Sequence, residues 1–402
     1  MKFKYIALIL GTMVSGCKMF TFLNEARKET LTYNIEHCKV NIKDNYIFVE
    51  TQFEDYQTRN FILDLGSPIN VVFDDSIFKN HTLSEESLML KNTKSADGNK
   101  MKREYLNWGK ISTCLFSVDN SFISHITRDD KYLCNKIDGI WGAEIFAPNF
   151  KGKKNKILLI NMRDSMLTIL DSLPEISKWV ELDVKFTPLS QIKVKVKING
   201  IPEYLFFDTG FSGDIMLTSV IYKKVNDKYT NSFDERKIYG QISSSLSGTI
   251  QDTAYSKHCL LELTQNLKQD SISLFTTQSV VVSALGMGVI KRFNVLVDYQ
   301  HRKLYLQPNL SYKPSPPSFF HSKGFRAKLT NENKIKIVNI TSNSKSESAG
   351  LQIGDEIISI NEISSQQEDK CRVVEIFDSI DAHKNNNQIT IKRQGKIMKI
   401  II

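Results

Sequence analysis

Alternating hydrophobic and polar positions recur along the chain and predict β-strands. The clearest run is Ile192–Ile198, in which Ile and Val alternate with Lys, as expected for a strand with one buried face. Asn199-Gly200 follows it, and this pair is typical of a two-residue hairpin turn. Tyr46–Phe53 and Ile335–Ile340 predict further strands. The pattern therefore predicts a mainly β protein.

Two stretches of the chain share a pattern in which an apolar run ends in Asp and is followed by a glycine turn and a second apolar run. The first stretch contains Asp64 and the second contains Asp208. Behind each, an apolar pair ends in glycine: Gly142 lies 78 residues after Asp64, and Gly286 lies 78 residues after Asp208. The chain therefore contains an internal duplication, and its tight turns are expected to hold both carboxyl groups rigidly.

An Asp-Thr-Gly after an apolar strand, within a unit that is repeated, resembles the two-lobed aspartic proteases of the pepsin and retropepsin superfamily over about residues 33–308. The resemblance implies two duplicated β lobes, 33–178 and 179–308, that each supply one catalytic residue, Asp64 and Asp208. The two carboxyl groups would share a proton because like charges a few ångströms apart cannot both ionise at low cost. The ionised one would activate a water that attacks a peptide bond of a polypeptide substrate. Neither a cofactor nor a metal is implied.

The turns after the aspartates supply candidates for supporting them. Gly66 and Gly210 form the two turns, and in the family a hydroxyl on the residue before each glycine cross-links the two loops. Thr209 can make its half of this cross-link. Leu65 has no hydroxyl and cannot make the other half, so the first copy departs from the family's pattern.

The residue after each glycine also differs between the copies. In the family it hydrogen-bonds a catalytic carboxylate, which Ser67 can do for Asp64 but the side chain of Phe211 cannot do for Asp208. Two interpretations stay open: the pair is an active endopeptidase on a looser scaffold, or the protein is a catalytically decayed, peptide-binding lipoprotein. Pairing of Asp208 with its counterpart from another chain is a third, which the duplication within the chain makes unnecessary.

Two polar stretches are candidates for loops near the substrate. Ser95–Asn99 contains an Asp-Gly pair, which predicts a hairpin turn, and it occupies the place of the family's flap, the hairpin that closes over substrate. A surface hairpin with no such role is the alternative. Gly240–Gly248 is rich in Gly and Ser and predicts a mobile loop of the second lobe.

A proline-rich segment over 309–320 predicts a linker between domains. Beyond it, the Ala-Gly-Leu…Gly-Asp-x-Ile…Asn pattern of residues 349–361 resembles bacterial PDZ domains. The resemblance implies a small β/α domain over 321–402, with a helix near Val373–Ile380 and a final strand pair.

PDZ domains bind extended peptides or C-termini by adding a strand at a sheet edge. Gly324, Phe325 and Arg326 fall where that family has its carboxylate-binding loop. They are therefore candidates for contacting the end of a peptide partner.

Residues 1–17 are typical of a bacterial lipoprotein signal peptide. Two lysines precede an apolar run that is too short to span a bilayer, and Val-Ser-Gly-Cys17 resembles a lipobox. Cys17 would carry acyl chains, and several chains give stable anchoring in a membrane. Residues 18–32 are then a tether, and the protein belongs to the bacterial cell envelope, facing the periplasm or the surface. An ordinary signal peptide with a chance cysteine is the alternative.

The net charge of +9 does not indicate a nucleic-acid-binding protein, because the lysines are scattered and no nucleic-acid recognition motif accompanies them. We therefore expect a solvated basic surface and no nucleic-acid partner. The remaining cysteines have no metal-site spacing; they are Cys38, Cys114, Cys134, Cys259 and Cys371. Cys114 and Cys134 are close enough in sequence to be candidates for a disulfide in an exported protein, with free buried thiols as the alternative.

Overall fold

The computed structural model describes residues 28–34, 37–54, 57–73, 88–94, 98–126, 134, 137–147, 155–228, 235–245, 248–313, 324–367, 369–379 and 387–402. These residues confirm a mainly β protein with two lobes, followed by a C-terminal unit, residues 324–402. Cys17 and the rest of the predicted signal peptide lie outside the described residues, as do 18–27 of the tether and 314–320 of the linker.

The strands of the first half of the chain include the one that carries Asp64. They are β1 (Thr30–Tyr33), β2 (Cys38–Lys39), β3 (Asn41–Lys43), β4 (Tyr46–Phe53), β5 (Thr58–Asp64), β6 (Val71–Val72), β7 (Leu88–Lys94), β8 (Lys100–Asn107), β9 (Ile111–Thr113), β10 (Phe116–Asp119), β11 (Phe122–His125), β12 (Gly139–Gly142), β13 (Ile157–Asn161) and β14 (Met166–Leu170). A 3-10 helix follows β12 at Ala143–Ile145.

The later strands include the one that ends just before Asp208. They are β15 (Val180–Glu181), β16 (Val184–Phe186), β17 (Ile192–Ile198), β18 (Ile201–Phe207), β19 (Ile215–Met216), β20 (Arg236–Ser245), β21 (Gly248–Glu262), β22 (Lys268–Thr276), β23 (Ala284–Leu285), β24 (Phe293–Asp298) and β25 (Lys303–Pro308). The strands of the C-terminal unit are β26 (Phe325–Leu329), β27 (Ile335–Thr341), β28 (Glu356–Ile360), β29 (Ile363–Ser364), β30 (Gln388–Arg393) and β31 (Lys396–Ile401). The helices within the described part of the chain include α1 (Ser219–Lys228), α2 (Met287–Ile290), α3 (Lys345–Ser348) and α4 (Lys370–Ser379).

The duplication is visible in the register of the strands. In the first lobe β5 runs parallel to β12, with Ile62 opposite Ile140. In the second lobe β18 runs parallel to β23, with Phe206 opposite Ala284. A short strand after each aspartate pairs antiparallel with that same parallel neighbour. In the first lobe β6 pairs with β12, and in the second lobe β19 pairs with β23. Both copies therefore place their aspartate at the end of a strand, and an equivalent parallel strand pairs with that strand in each lobe.

The two copies meet in a sheet whose described strands have the order β15-β25-β24-β13-β14-β2. The hairpin β13–β14 belongs to the first copy and β24–β25 to the second, and they join where Leu158 lies opposite Val297. Both residues are fully buried in a hydrophobic core that extends through both lobes. The lobes therefore share a core, which keeps the two aspartates in a fixed relative position.

The C-terminal unit has a core of its own. Phe325, Ile337, Val373, Phe377 and Ile391 are buried together in it. This core packs α4 against the strands of the unit, including β26. The predicted strand Ile335–Ile340 agrees with β27, and the predicted helix agrees with α4 up to Ser379.

Strand pairing joins the C-terminal unit to the second lobe. Tyr239 of β20 lies opposite Ile340 of β27, and Gly240 lies opposite Asn339. The backbone of Gly240 has a φ of +105°, and a Cβ there would lie 2.8 Å from Cδ1 of Ile353. Glycine is therefore required for this close approach. The predicted mobile loop at Gly240–Gly248 is wrong over its first six residues, which belong to β20; this stretch pairs with β21, and its first residue, Gly240, also pairs with β27.

The disulfides differ from the pairing considered from the sequence. Cys114 pairs with Cys38, at a Cα–Cα distance of 5.3 Å, and Cys134 pairs with Cys371, at 5.0 Å. A Cys114–Cys134 disulfide is therefore wrong, because pairing of β1 with β10 brings the chain around Cys38 beside Cys114. Cys259 is a buried free thiol.

The second disulfide ties the first lobe to the C-terminal unit. Cys371 lies on α4, and the same helix carries Glu375, whose carboxylate pairs with Lys43 of the first lobe at 2.5 Å. The C-terminal unit is thus held on both lobes, by strand pairing on one and by a covalent link on the other.

The first lobe begins slightly earlier than predicted. Strand β1 starts at Thr30, and the buried carboxylate of Glu29 accepts the backbone N–H of Phe122 at 3.1 Å. The tether therefore ends before Glu29, not at residue 32. Within the described part of the chain, no helix combines the length and the apolar composition needed to cross a bilayer.

Candidate active site

Strand β5 delivers Asp64 at its C-terminal end. Phe61 and Leu63 of this strand are fully buried, which fixes the strand against the core. The chain then turns, and the backbone N–H of Ser67 donates to Oδ1 of Asp64 at 2.9 Å. The N–H of Gly66 also hydrogen-bonds the carboxyl group. Backbone groups of the turn therefore hold this side chain.

Strand β18 delivers Asp208 in the same way. Phe207 is fully buried, and the backbone N–H of Asp208 donates to the carbonyl oxygen of Leu285 at 2.9 Å. The N–H of Gly210 donates to Oδ1 of Asp208 at 2.9 Å. The second turn thus repeats the first, with Gly210 as the main donor.

The two aspartates meet across the lobe boundary and hydrogen-bond each other. Each carboxyl group lies over the glycine of the other turn. A Cβ on Gly66 would lie 2.6 Å from Oδ1 of Asp208, and a Cβ on Gly210 would lie 2.7 Å from Oδ1 of Asp64. Both distances are shorter than van der Waals contact, so any side chain at either glycine would push the carboxyl groups apart.

The environment of the pair favours the protonated form. Both aspartates are half-buried, and the surrounding protein desolvates their carboxyl groups. Burial raises the pKa of Asp64, and burial together with the charge of Asp64 raises the pKa of Asp208 well above its usual range. The two carboxyl groups titrate as a coupled pair, and the pKa of Asp208 is raised further than that of Asp64 because the charge of Asp64 adds to the effect of burial.

Thr209 makes a cross-link between the two turns. Its buried hydroxyl donates to the carbonyl oxygen of Leu63 at 2.7 Å and accepts the backbone N–H of Leu65 at 2.9 Å. Leu65 cannot return these bonds, and its side chain is fully buried in the shared core. Half of the expected cross-link is therefore present, and an apolar contact occupies the place of the other half.

The residues after the glycines support the aspartates differently from the expectation. The Ser67 hydroxyl donates to the carbonyl oxygen of Ile69 at 2.8 Å, so Ser67 supports Asp64 through its backbone N–H and not through its side chain. Phe211 packs its ring against Phe275 with a centroid distance of 5.7 Å. This apolar contact anchors the second turn.

Two carboxamides that the sequence did not single out also reach the turns. Nε2 of Gln191 donates to the carbonyl oxygen of Gly66 at 2.6 Å, and Nδ2 of Asn45 donates to that of Ser212 at 2.7 Å. Each crosses from one lobe to the turn of the other. Their equivalent positions, each directly before the first strand of the hairpin that leads to an aspartate, are the signal that could have indicated them.

The β7–β8 hairpin contains the turn expected to resemble a flap. Its strands pair as far as Lys94 opposite Lys100, while Ser95, Ala96 and Asp97 lie outside the described residues. A Cβ on Gly98 would lie 3.4 Å from Cγ1 of Val281 in the second lobe. Gly98 therefore lies close to the second lobe.

Gly324, Phe325 and Arg326 lie at the start of β26 in the C-terminal unit. Among the described strands, β26 pairs only with β27, and α4 contacts β26. Gly324 has a φ of +81°, a conformation that favours glycine.

The described residues contain no group of three or more His, Cys, Asp or Glu side chains arranged to hold a metal ion. No protein-family model matches the chain, and no curated protein matches it. Among solved structures, the chain is similar to conglutin gamma, described as a unique basic 7S globulin from lupine seeds. The sequences are 10% identical, the TM-score is 0.42, and the match covers 69% of this chain and 95% of that one. A likeness this low carries no functional assignment.

Proposed function

We propose that this protein is an aspartic endopeptidase that hydrolyses peptide bonds with Asp64 and Asp208 as its catalytic pair. One observation carries the proposal: two copies of one turn bring two desolvated carboxyl groups into hydrogen-bond contact. A pair with unequal pKa values divides naturally into a general base and a general acid.

In the proposed reaction the ionised Asp64 accepts a proton from a water, and the resulting hydroxide oxygen attacks the carbonyl carbon of the scissile peptide bond. Asp208 donates its proton to the carbonyl oxygen, which gives a neutral tetrahedral intermediate. In the collapse, Asp64 gives its proton to the amide nitrogen, the C–N bond breaks, and the ionised Asp208 takes a proton from one hydroxyl of the intermediate, which returns the pair to its starting state. The chemistry requires no covalent link to the enzyme.

The test is cleavage of a carboxymethylated, unfolded protein by the full chain in detergent, from about pH 3 to about pH 7. Asp208→Asn should abolish new peptide termini in mass spectra. Asp183→Asn, which changes an exposed aspartate that pairs with Lys195, is the matched control and should cleave like the parent. If Asp208→Asn cleaves as well as the parent, the assignment is wrong.

A second candidate function is peptide binding without catalysis, favoured by the missing hydroxyl at Leu65 and the apolar Phe211. It predicts a folded parent that produces no new termini at any pH but still binds a peptide carrying a hydroxyl-bearing tetrahedral carbon in place of the scissile carbonyl. Cleavage by the parent that Asp208→Asn removes would exclude this candidate.

We further propose that the C-terminal unit is a PDZ domain that binds an extended peptide or a C-terminus. The β26 edge beside α4 supports this, because a peptide could add there as a strand, with its carboxylate at the N–H groups near Gly324, Phe325 and Arg326. A peptide library with free C-termini should bind the full chain, whereas the amidated library should not. Equal binding of both would overturn carboxylate recognition.

The proposed setting is the bacterial cell envelope, with a lipid on Cys17 as the membrane anchor. The basis is the lipobox-like sequence before Cys17. Metabolic labelling with a fatty acid should mark the parent and not Cys17→Ser. Labelling of both would show that Cys17 is not the acylated residue.

A further inference from the structure

We infer that Asn45 and Gln191 are a pair of positioning residues, one from each lobe, whose carboxamides hold the two catalytic turns in register. The inference rests on the proposed function, because it assigns these residues a role in aligning Asp64 and Asp208. We call the two contacts the carboxamide clasps.

The first clasp is built on a fixed turn between β16 and β17. The backbone N–H of Gln191 donates to the Thr187 hydroxyl at 3.1 Å, and the N–H of Thr187 donates to the carbonyl oxygen of Gln191 at 2.8 Å. The Gln191 side chain therefore starts from a defined backbone position. Its Nε2 donates to the carbonyl oxygen of Gly66 at 2.6 Å, two residues after Asp64.

The second clasp is built on the turn between β3 and β4. Asn45 has a φ of +60°, a left-handed conformation that Asn adopts more easily than most residues. Lys291 donates to Oδ1 of Asn45 at 2.9 Å, and a lysine ammonium can only donate. The amide is thereby oriented with Nδ2 toward the carbonyl oxygen of Ser212, at 2.7 Å, four residues after Asp208.

The two clasps occupy equivalent places in the duplication. Asn45 immediately precedes β4, and Gln191 immediately precedes β17. Each of these strands is the first of the hairpin that leads to its own lobe's aspartate. Each carboxamide, however, donates to the turn of the opposite lobe. The duplication has therefore produced two reciprocal contacts across the boundary between the aspartates.

The clasps act where the Thr209 cross-link is incomplete. Thr209 ties the two turns with two hydrogen bonds, and Leu65 adds none. Gly66, the residue held by Gln191, lies directly under the Asp208 carboxyl group. A shift of its carbonyl would therefore alter the contact between the aspartates. The clasps supply two further polar links in place of those a hydroxyl at residue 65 would make.

The test uses Gln191→Met, which keeps the length of the side chain without its N–H donors, and Asn45→Gly, which tolerates the positive φ. Matched controls are Gln300→Met and Asn333→Gly. Gln300 also donates to a backbone carbonyl, that of Asp171 at 3.3 Å, and Asn333 has a φ of +59°. Neither control residue contacts the turns.

Each clasp variant should lower kcat about three- to tenfold with KM changed less than about twofold, as expected for loss of one hydrogen bond that aligns reacting groups. Its alkaline pH limit should move to lower pH, because a looser pair is better hydrated and the pKa of Asp208 falls toward its ordinary value. A kcat and a pH profile like those of the controls would overturn the inference.

Titration of 13C-labelled aspartate carboxyl groups separates this inference from the proposed activity, because it requires no cleavage. If the parent cleaves nothing but the Asp208 titration moves to lower pH in both clasp variants, the clasps stand and the endopeptidase proposal fails. If the parent cleaves and the Asp208 titration stays unchanged in both variants, the clasp inference fails.

Discussion

The hydroxyl of Thr209 crosses the lobe boundary and donates to the carbonyl oxygen of Leu63 at 2.7 Å. This bond joins the second turn to the strand that carries Asp64. The hydroxyl oxygen of Thr209 also accepts the backbone N–H of Leu65, so one side chain from the second lobe satisfies a donor and an acceptor of the first.

Thr209→Val should lower both the free energy of unfolding and the rate of cleavage. Valine has nearly the same shape but leaves a buried N–H and a buried carbonyl without this partner, which costs about 1–3 kcal/mol of unfolding free energy. Chemical denaturation would measure the loss, with Thr32→Val on the exposed face of β1 as the control. Equal denaturation midpoints for parent and Thr209→Val would contradict a structural role for the cross-link.

Replacing Gly210 with alanine should eliminate cleavage, because the new Cβ would overlap the Asp64 carboxyl group. We expect a loss of at least about a hundredfold, since misplaced reacting groups carry penalties of this size. Gly200→Ala is the control: it strains a positive φ but has open space around it, so it should cost about 1 kcal/mol of stability and leave the cleavage rate unchanged. If Gly210→Ala cleaves substrate at the parent's rate, the close approach of Gly210 to the Asp64 carboxyl group is wrong.

The stability of the protein should depend on pH through Asp208. Its pKa is raised in the folded state by burial and by the charge of Asp64, so the folded protein binds the proton more tightly than the unfolded chain does. This contribution is fully present below about pH 4, the unfolded range, and is lost as the pH rises through the folded pKa. Asp208→Asn should therefore lose less stability than the parent between acidic and neutral pH.

Denaturant midpoints measured across this pH range would check the prediction. Asp183→Asn, which changes an exposed aspartate, should follow the parent. If Asp208→Asn and the parent lose stability in parallel, the raised pKa is not supported.

The Cys134–Cys371 disulfide should be detectable and stabilising. Peptide mapping without reduction should recover Cys38 linked to Cys114 and Cys134 linked to Cys371. Replacing both Cys134 and Cys371 with serine should lower the unfolding free energy by about 2–5 kcal/mol, because the link closes a long loop. A peptide joining Cys114 to Cys134 would contradict this pairing.

Strands with a strong local pattern could be predicted from the sequence. Ile192–Ile198 and Tyr46–Phe53 are strands with the predicted bounds, and Asn199 and Gly200 adopt the positive φ angles of the expected turn. The equal spacing behind Asp64 and Asp208 indicated a duplication, and in the structure each spacing ends in a strand that runs parallel to the strand leading to the aspartate. These features could be predicted because each depends on residues that are close in sequence, or on a pattern that occurs in both copies.

Contacts between distant parts of the chain could not be predicted. Gln191 and Gly66 are 125 residues apart, and a lone carboxamide before a strand has no chemical signature. The Gly and Ser content of Gly240–Ser245 indicated a loop, but pairing with β21 and β27 overrides that local preference. Pairing of cysteines likewise depends on which strands become neighbours.

The measurement that tests the central claim most directly is a double-mutant comparison of Asp64→Asn, Asp208→Asn and the variant carrying both changes, using initial rates of cleavage of one peptide substrate. Two groups that act as one catalytic unit are not additive, so each single variant should lose about as much activity as the double variant. A single variant that keeps substantial activity, or losses that multiply in the double variant, would contradict a catalytic pair.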